Sequence, residues 1–536
     1  MEMKHADLDP ATRSGRTHVR TGIVVAAVQV IGLVLAIVQE MFAADLFGAR
    51  REMDGYLAAW ILPMTLGNVV GGAIQNSLIP HFAKARSERG ADGAWALAGE
   101  AVGATLLVFG ALAATGLVAS PLVLGFTTTG ASGDAVAIAR SLYPLGFVYG
   151  ALGVTTGILT GLSAATGRFV WPSLLANLTS GLPILFLWLG GKSLGVTALA
   201  MGLVAGTLLQ AGILYGMLHA IGFRVRLPRA GAWGRLKAVA SDGVAVALST
   251  VPLGLLPVLE RHFASLAGEG AASRLFYTSK FTSTGNQFLG AAMSVMGVPL
   301  LSAYVARYEA ARFRQAFSLL LRISCYLAAG GIVGLVVCAQ PLVQVLFERG
   351  RFTRGDTLAV ATLLRWYSFA LLYAIVFPVF NAAILSRRRA WLLPAVNLTG
   401  LAAYLGLVFF GGRLIPNPVL ALAVAWGLSY NVILVAVALD LVIERITDAA
   451  SVLSALARTA LFVPAAGLPL WLVRRLVELD GMAPVAAVGV LSFAGLVAST
   501  LAVAAIDREV FLRVANALFG NRFARLEPRA GERASA

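Results

Sequence analysis

Residues 346–357 read LFERGRFTRGDT, and this charged stretch separates two long apolar runs. Five of its twelve residues are charged, in a chain with 13% charged residues, 58% hydrophobic residues and a mean hydropathy of +0.82. Apolar runs joined by short polar stretches recur along the whole sequence, and a helix needs about 20 apolar residues to cross ~30 Å of hydrocarbon. A membrane barrel would show short alternating strands instead. The sequence therefore predicts an all-α polytopic membrane protein.

About fourteen transmembrane helices are predicted from these runs. They lie near 20–47, 54–82, 93–119, 134–160, 169–190, 195–222, 238–265, 273–304, 315–347, 356–386, 390–411, 417–443, 449–473 and 483–506.

Lys and Arg concentrate in alternate loops between these spans. They lie in the N-terminal segment, in the C-terminal tail and at 84–89, 224–237, 307–314 and 387–389. By the positive-inside rule, these loops and both termini are expected to be cytoplasmic, and 346–357 is expected to lie outside. The net charge of +16 then reflects topology and attraction to anionic phospholipids. A nucleic-acid partner is not expected, because the basic residues sit beside spans rather than in a soluble domain.

The sequence contains an internal repeat. The tripeptide NLT at 177–179 recurs 220 residues later at 397–399, and GGK at 190–192 is matched by GGR at 411–413. Each half holds six spans, and because six is even, the two copies share one orientation. The repeat predicts two parallel six-helix bundles related by an axis along the membrane normal, an architecture typical of transporters that bind cargo between the halves.

The predicted organisation follows from the spans and the repeat. It comprises a cytoplasmic N-terminal segment (1–19), a first bundle (20–222), a basic cytoplasmic linker (223–237), a second bundle (238–443), two additional transmembrane helices (444–506) and a cytoplasmic amphipathic helix with a basic tail (507–536). The helix at 507–520 spaces Val510, Phe511, Val514 and Leu518 on one apolar face.

Four motifs resemble one transporter family. LFERGRFTRGDT, with DLFGARREMDGYLAAWILP at 45–63, GGAIQNSLIPHFAK at 71–84 and GRFVWPSLLANL at 167–178, is similar to the MviN/MurJ family of lipid II flippases in the MOP exporter superfamily. The resemblance implies alternating-access flipping of a polyprenyl-diphosphate-linked saccharide, lipid II or a related cell-envelope precursor. It also implies a location in the bacterial inner membrane and cell-envelope synthesis enzymes as partners.

The sequence departs from this family in its cavity. The family's first-helix Arg-Asp pair corresponds to Gln39-Glu40, its second-helix Arg pair to Leu66-Gly67-Asn68, and its Glu-Gly to Gly71-Gly72. Its eighth-helix Arg falls on Lys280, which keeps a cation able to contact a diphosphate. The candidate cargo-binding residues are Lys280, Arg261, Arg274 and Gln39.

Two of these cations have an alternative interpretation. Arg274 precedes Lys280 by six residues, close to two turns, so Arg261, Arg274 and Lys280 could form a replacement basic patch on a similar helix face. Alternatively, Arg261 and Arg274 snorkel to the outer headgroups, with Glu260 pairing locally with Arg261.

Three carboxylates are candidates for ion coupling, because a carboxyl group in a low dielectric can be neutralised during transport. They are Glu40, Asp54 and Glu260. Asp54 also directly precedes an apolar run, so it is expected to cap the second helix.

The charged stretch itself is predicted to be a corner. Gly350 lets the chain turn, Asp356 and Thr357 can cap the following helix, and the charged residues can form a short amphipathic connector at the outer headgroups. By resemblance, this is the outer gate segment, with Glu348, Arg349, Arg351, Arg354 and Asp356.

Enzyme signatures are not found. The five His are scattered, and the sequence has neither a P-loop nor a G-x-S-x-G elbow. We therefore expect no enzyme, metal or cofactor, and transport driven by an ion gradient or the membrane potential. Three alternatives remain: an exopolysaccharide repeat-unit flippase, a MOP-type drug or cation exporter, and a non-transporting membrane scaffold, which the missing Arg residues permit.

Overall fold

The computed structural model describes residues 10–168, 170–228, 231, 233–386, 392–476 and 483–519. Over these residues the regular secondary structure is helical throughout, so the predicted all-α class is confirmed. The helices are α1 (Pro10–Phe47), α2 (Arg51–Val118), α3 (Ser120–Thr127), α4 (Gly133–Ala165), α5 (Val170–Ala176), α6 (Leu178–Leu194), α7 (Val196–His219), α8 (Trp233–Leu266), α9 (Ala271–Gly285), α10 (Ala291–Ala306), α11 (Ala310–Phe347), α12 (Arg354–Tyr367), α13 (Ala370–Ser386), α14 (Leu393–Leu414), α15 (Pro418–Ile443), α16 (Ala449–Leu476), α17 (Pro484–Ile506) and α18 (Arg508–Phe519). A π-helical turn, Asn286–Gly290, joins α9 to α10.

Twelve helical segments in the described ranges are long and apolar enough to cross a membrane. One of them, α2, has 68 residues, or about 100 Å at 1.5 Å per residue, and Gly90 within it has non-helical backbone angles (φ 73°, ψ −174°). It therefore holds both the second and the third predicted spans. The eighth predicted span coincides with α9, the π-turn and α10. The number of about fourteen spans stays a prediction.

The chain divides by packing into two compact units. The first contains residues up to Ser273 together with Arg349–Phe352, and the second contains Arg274–Glu348 and the chain from Thr353 onward. Helix α8 packs against α2 and so lies with the first unit. The predicted domain boundaries rest on the repeat rather than on packing, and they stay a prediction.

Small residues bring α2 and α4 together in the first unit. A Cβ atom on Gly67 would lie 3.1 Å from the carbonyl oxygen of Gly150, and one on Gly71 would lie 3.2 Å from the Cα of Val154. Helices in lipid associate through close packing of this kind, because hydrocarbon supplies no hydrophobic driving force between them. The α2–α4 pair thus forms the packed centre of the first unit.

The linker after α7 is fixed to the second half of α2. The Arg226 N–H donates to the carbonyl of Gly99 at 3.1 Å, and the carbonyl oxygens of Arg224 and Arg226 lie where Cβ atoms of Gly99 and Gly103 would be. The buried Glu100 carboxylate accepts two hydrogen bonds from Arg235 on α8, at 2.7 and 3.1 Å. The sequence GEAVG at 99–103 is therefore a docking groove for the linker.

Alanine at either of these two glycines is expected to destabilise the protein. Gly→Ala within a helix normally gains about 0.5–1 kcal/mol. At Gly99 or Gly103 the added methyl would overlap a linker carbonyl, at a cost of about 1–3 kcal/mol. Gly110→Ala on the same helix is the matched control, because a Cβ there meets nothing within 4 Å. Apparent melting temperatures should fall for the first two variants and hold or rise for the third, and equal values for all three would contradict the docked linker.

In the second unit, α11 packs against α16 and α17. An ionic cluster lies at Asp507, where α17 ends and α18 begins. Asp507, between α17 and α18, has a side chain only 1% exposed. It accepts hydrogen bonds from Arg458 (2.7 Å), Arg322 (3.0 Å) and the N–H of Val510 (3.3 Å). Arg322 also pairs with Glu509 at 3.2 Å. This cluster attaches α18 to the bundle.

The chain is helical over α18, as the spacing predicts, and the membrane-interface role of its apolar face stays a prediction. Val510, Leu512 and Ala515 are buried, whereas Val514 is 39% exposed. The basic tail at 520–536 and the basic residues at 387–389 lie outside the described residues.

Candidate functional site

Four predicted site residues of the first unit are buried inside it. Gln39 and Glu40 on α1 are 9% and 7% exposed, and Glu260 and Arg261 on α8 are 2% and 6% exposed. Snorkelling of Arg261 to the headgroups is therefore wrong. Its Nη1 donates to the carbonyl oxygen of Ala272 at 2.5 Å, because a buried guanidinium must satisfy its donors inside the protein.

Asp54 caps a helix, but not the one expected. Its carboxylate accepts hydrogen bonds from the N–H groups of Gly270 (2.6 Å) and Ser273 (2.8 Å) and from the Ser273 hydroxyl. These donors lie at the start of α9, whereas α2 begins at Arg51 without a side-chain cap on Arg50. A first-turn Asp near a loop can serve any helix start within reach, and the sequence alone does not identify which.

Asp54 and Arg261 also line a small cavity of about 20 Å³ in the first unit, with Thr127, Ser265 and Glu269. This volume holds about one water molecule. The cavity is too small for a lipid headgroup. Asp54, which accepts three hydrogen bonds, and the buried Arg261 therefore stabilise the local fold. The ion-coupling role proposed for Asp54 from sequence stays a prediction.

Arg274 and Lys280, both in the second unit, take different partners. Arg274 Nη2 lies 3.3 Å from Asp356 Oδ1 on α12. Lys280 is partly exposed, and its Nζ lies 4.3 Å from the centroid of the Phe276 ring. Six residues turn a helix through about 600°, so the two side chains diverge by about 120°, and the expected shared face is wrong. Lys280 lies on the same face of α9 as the exposed Ser283, three residues later.

The turn after α11 and the cap of α12 are built locally. Thr353 is the N-cap of α12, and Asp356 completes a capping box by accepting from the Thr353 N–H at 3.1 Å. The expectation that Asp356 and Thr357 cap this helix is thus corrected: Thr353 caps, Asp356 supports it, and Thr357 donates back to the Thr353 carbonyl. Glu348 and Arg354 pair at 3.4 Å.

The tetrapeptide Arg349–Phe352 packs within the first unit, on the corner between α1 and α2. The Arg351 N–H donates to the Asp45 carbonyl at 2.9 Å, and its guanidinium pairs with Glu52 at 2.9 Å. Gly350 has φ +50°, where L side chains are disfavoured, so the predicted turn is confirmed. Arg351 pairs with Glu52 and Arg354 with Glu348, and both arginines are about half exposed. The placement of this connector at the outer headgroups stays a prediction.

A polar run that was not predicted from the sequence surrounds Lys280. Residues 278–287 read TSKFTSTGNQ, and Ser283, Asn286 and Gln287 are exposed although they lie inside the span predicted at 273–304. The available signal was a stretch with eight polar residues out of ten inside a predicted span. Among the described residues, no group of His, Cys, Asp and Glu is arranged to hold a metal ion.

Comparison with known proteins relates this geometry to one family. The family model for the lipid II flippase MurJ matches residues 43–483. A probable lipid II flippase MurJ from Bdellovibrio bacteriovorus is 26% identical over 348 residues, covering 63% of this chain and 66% of that protein. One from Vibrio cholerae is 26% identical over 384 residues, covering 69% and 73%. The first of these matches thus spans slightly less than two thirds of its relative.

Solved structures show the same fold. A lipid II flippase MurJ in an inward closed conformation superposes with a TM-score of 0.74 at 16% identity, covering 91% of this chain and 99% of that one. An inward-facing multidrug resistance MATE family transporter of the MOP superfamily reaches 0.64 at 16% identity, covering 79% and 98%. The resemblance found in the sequence is confirmed, and the chain belongs to the MurJ lipid II flippase family.

Proposed function

We propose that this multi-pass membrane protein flips lipid II, a polyprenyl-diphosphate-linked saccharide, across the bacterial inner membrane by alternating access. The observation that carries the proposal is the family match over 43–483, which includes most of both units. The N- and C-termini are cytoplasmic in this scheme, as the distribution of Lys and Arg predicts.

The cargo dictates what the protein must provide. A diphosphate cannot enter hydrocarbon, so it needs cationic donors in a wet chamber, while the polyprenyl tail can remain in lipid. Lys280 supplies the cation: it is partly exposed, and it lies in the eighth span predicted from the sequence. Arg261 is buried against backbone and Arg274 pairs with Asp356, so neither is as available. Gln39 is a neutral contributor where the family has a cation.

Energy for transport comes from an ion gradient or the membrane potential. Glu40 and Glu260 are the coupling candidates, because both carboxylates are buried in the first unit. Asp54 ranks below them, since three hydrogen bonds hold its carboxylate in a capping role. A drug or cation exporter fits less well, because Lys280 would repel a cationic cargo.

Reconstitution tests the function directly. Vesicles containing the full chain and fluorescent lipid II should expose the fluorophore to an impermeant quencher faster than protein-free vesicles. Expression of the chain should also sustain growth of a bacterium depleted of its own lipid II flippase. Flipping of another polyprenyl-diphosphate saccharide but not lipid II would favour the exopolysaccharide alternative. Flipping of neither would favour the scaffold.

A further inference from the structure

Polar residues lie near the middle of the helical segment formed by α9, the π-turn and α10. α9, the π-turn and α10 have fifteen, five and sixteen residues, and together run for about 54 Å. Gln287 lies about 24 Å from one end and about 29 Å from the other. Any ~30 Å hydrocarbon layer that the segment crosses completely must therefore contain Gln287.

These residues occupy one side of the segment. Lys280, Ser283, Thr284 and Gln287 follow the i, i+3, i+4, i+7 spacing of a single helix face, and Ser283 and Gln287 are exposed. The other side is packed: Thr278 and Thr282 are buried, and Cβ atoms on Gly285 and Gly290 would touch Leu371 and Ala374 of α13. We call Lys280, Ser283, Thr284 and Gln287, together with the exposed Asn286 at the edge of this face beside Gly290, the polar stripe.

Such a stripe cannot face lipid. Side-chain amides in hydrocarbon have no hydrogen-bond partners, and polar groups inside a membrane face water-filled cavities or protein. The π-turn that follows Gly285 adds a second indication, because π-helical turns within α-helices are frequent at functional sites. Here the turn begins with the two exposed amides, Asn286 and Gln287.

We propose that the polar stripe is a binding site for uncharged hydrogen-bonding groups of the cargo, the hydroxyl and amide groups of a saccharide held beside a phosphate. This inference rests on the proposed function and assigns the headgroup side of the same site. Lys280 takes the diphosphate, and Ser283, Asn286 and Gln287 contact the adjoining sugar. Lys280 and Gln287 are two turns apart, about 10 Å along the axis, so one cargo molecule spans both.

Thiol labelling tests whether the stripe is wet. Gln287→Cys and Ser283→Cys should react with a charged, membrane-impermeant thiol reagent in the full chain in nanodiscs. Cys325 and Cys338 are buried and give little background. Val435→Cys is the control, because Val435 is 60% exposed on α15 and apolar. Labelling of both stripe cysteines but not Val435→Cys supports the inference, and failure of both stripe cysteines to react overturns it.

Binding tests what the stripe recognises. Affinities of the full chain are measured for lipid II and for undecaprenyl diphosphate, which has the diphosphate and the tail but no saccharide. Gln287→Leu and Ser283→Ala should each weaken lipid II binding about two- to tenfold, the contribution of one neutral hydrogen bond, and leave undecaprenyl diphosphate unchanged. Lys280→Ala should weaken both. The two stripe variants also guard against a single variant that fails to fold.

The outcomes separate this inference from the proposed function. If the wild type binds lipid II but the stripe variants affect both ligands equally, or neither, the saccharide site is overturned and the proposed function stands. If the wild type binds neither lipid, the proposed function fails and the assignment of the stripe to its saccharide fails with it.

Discussion

Lys280→Ala is expected to abolish complementation of a flippase-depleted bacterium and to reduce lipid II flipping in vesicles by roughly 10- to 150-fold. That range corresponds to ~1.5–3 kcal/mol, the contribution of a hydrogen bond to a charged group. Stability should change little, because Lys280 is partly exposed and its contact with Phe276 contributes about 0.5–1 kcal/mol. Initial flipping rates at equal protein in vesicles measure the effect.

Two comparisons make this result specific. Lys280→Arg should retain activity, since the guanidinium keeps the charge and adds a bidentate donor for phosphate. Arg274→Ala should be milder for transport, because Arg274 pairs with Asp356 rather than lying on the Lys280 face of α9. Normal flipping by Lys280→Ala together with loss in Arg261→Ala, at equal expression, would instead place the phosphate site at α8.

Asp507→Ala is expected to detach α18 and lower stability by about 3–5 kcal/mol. Removing the carboxylate leaves Arg322, 11% exposed, without its buried partner, and breaking a buried ion pair has costs of this size. Hydrogen exchange should rise across α18, and the apparent melting temperature should fall. Glu509→Gln is the control: Glu509 is 49% exposed, so its loss should cost no more than about 1 kcal/mol.

The pH dependence of this cluster follows from the shift at Asp507. Burial raises the pKa of this carboxyl group, but the hydrogen bond from Arg458 and the charge of Arg322 outweigh burial, and the net pKa is lowered. A lowered pKa stabilises the fold fully above the unfolded value of about 3.9, and the contribution is lost as the pH falls through the folded pKa. Attachment of α18 should therefore be constant from pH 8 to 5. Detachment within that range would contradict the assignment.

The sequence alone determined the class of this protein. Apolar runs and the charged loops between them are local properties, and the transfer of about 20 residues into hydrocarbon depends on composition rather than on partners. The corner at Gly350 was also predictable, because glycine is the residue that accepts a positive φ without a Cβ clash. Lys280 was identified because a cation inside a membrane span has few structural explanations.

Partner choice was decided only by the tertiary structure. Asp54 was expected to cap α2, yet it accepts from Gly270 and Ser273, more than two hundred residues away along the chain. Arg274 forms an ion pair with Asp356 on another helix, and the backbone N–H of Arg226 donates to the carbonyl of Gly99. Each case depends on unsatisfied donors and acceptors, which bond to whichever group folding brings within about 3 Å. The rotation of α9 about its own axis decides which of its residues are exposed. This rotation depends on the close contact of Gly285 and Gly290 with α13, which hydropathy does not encode.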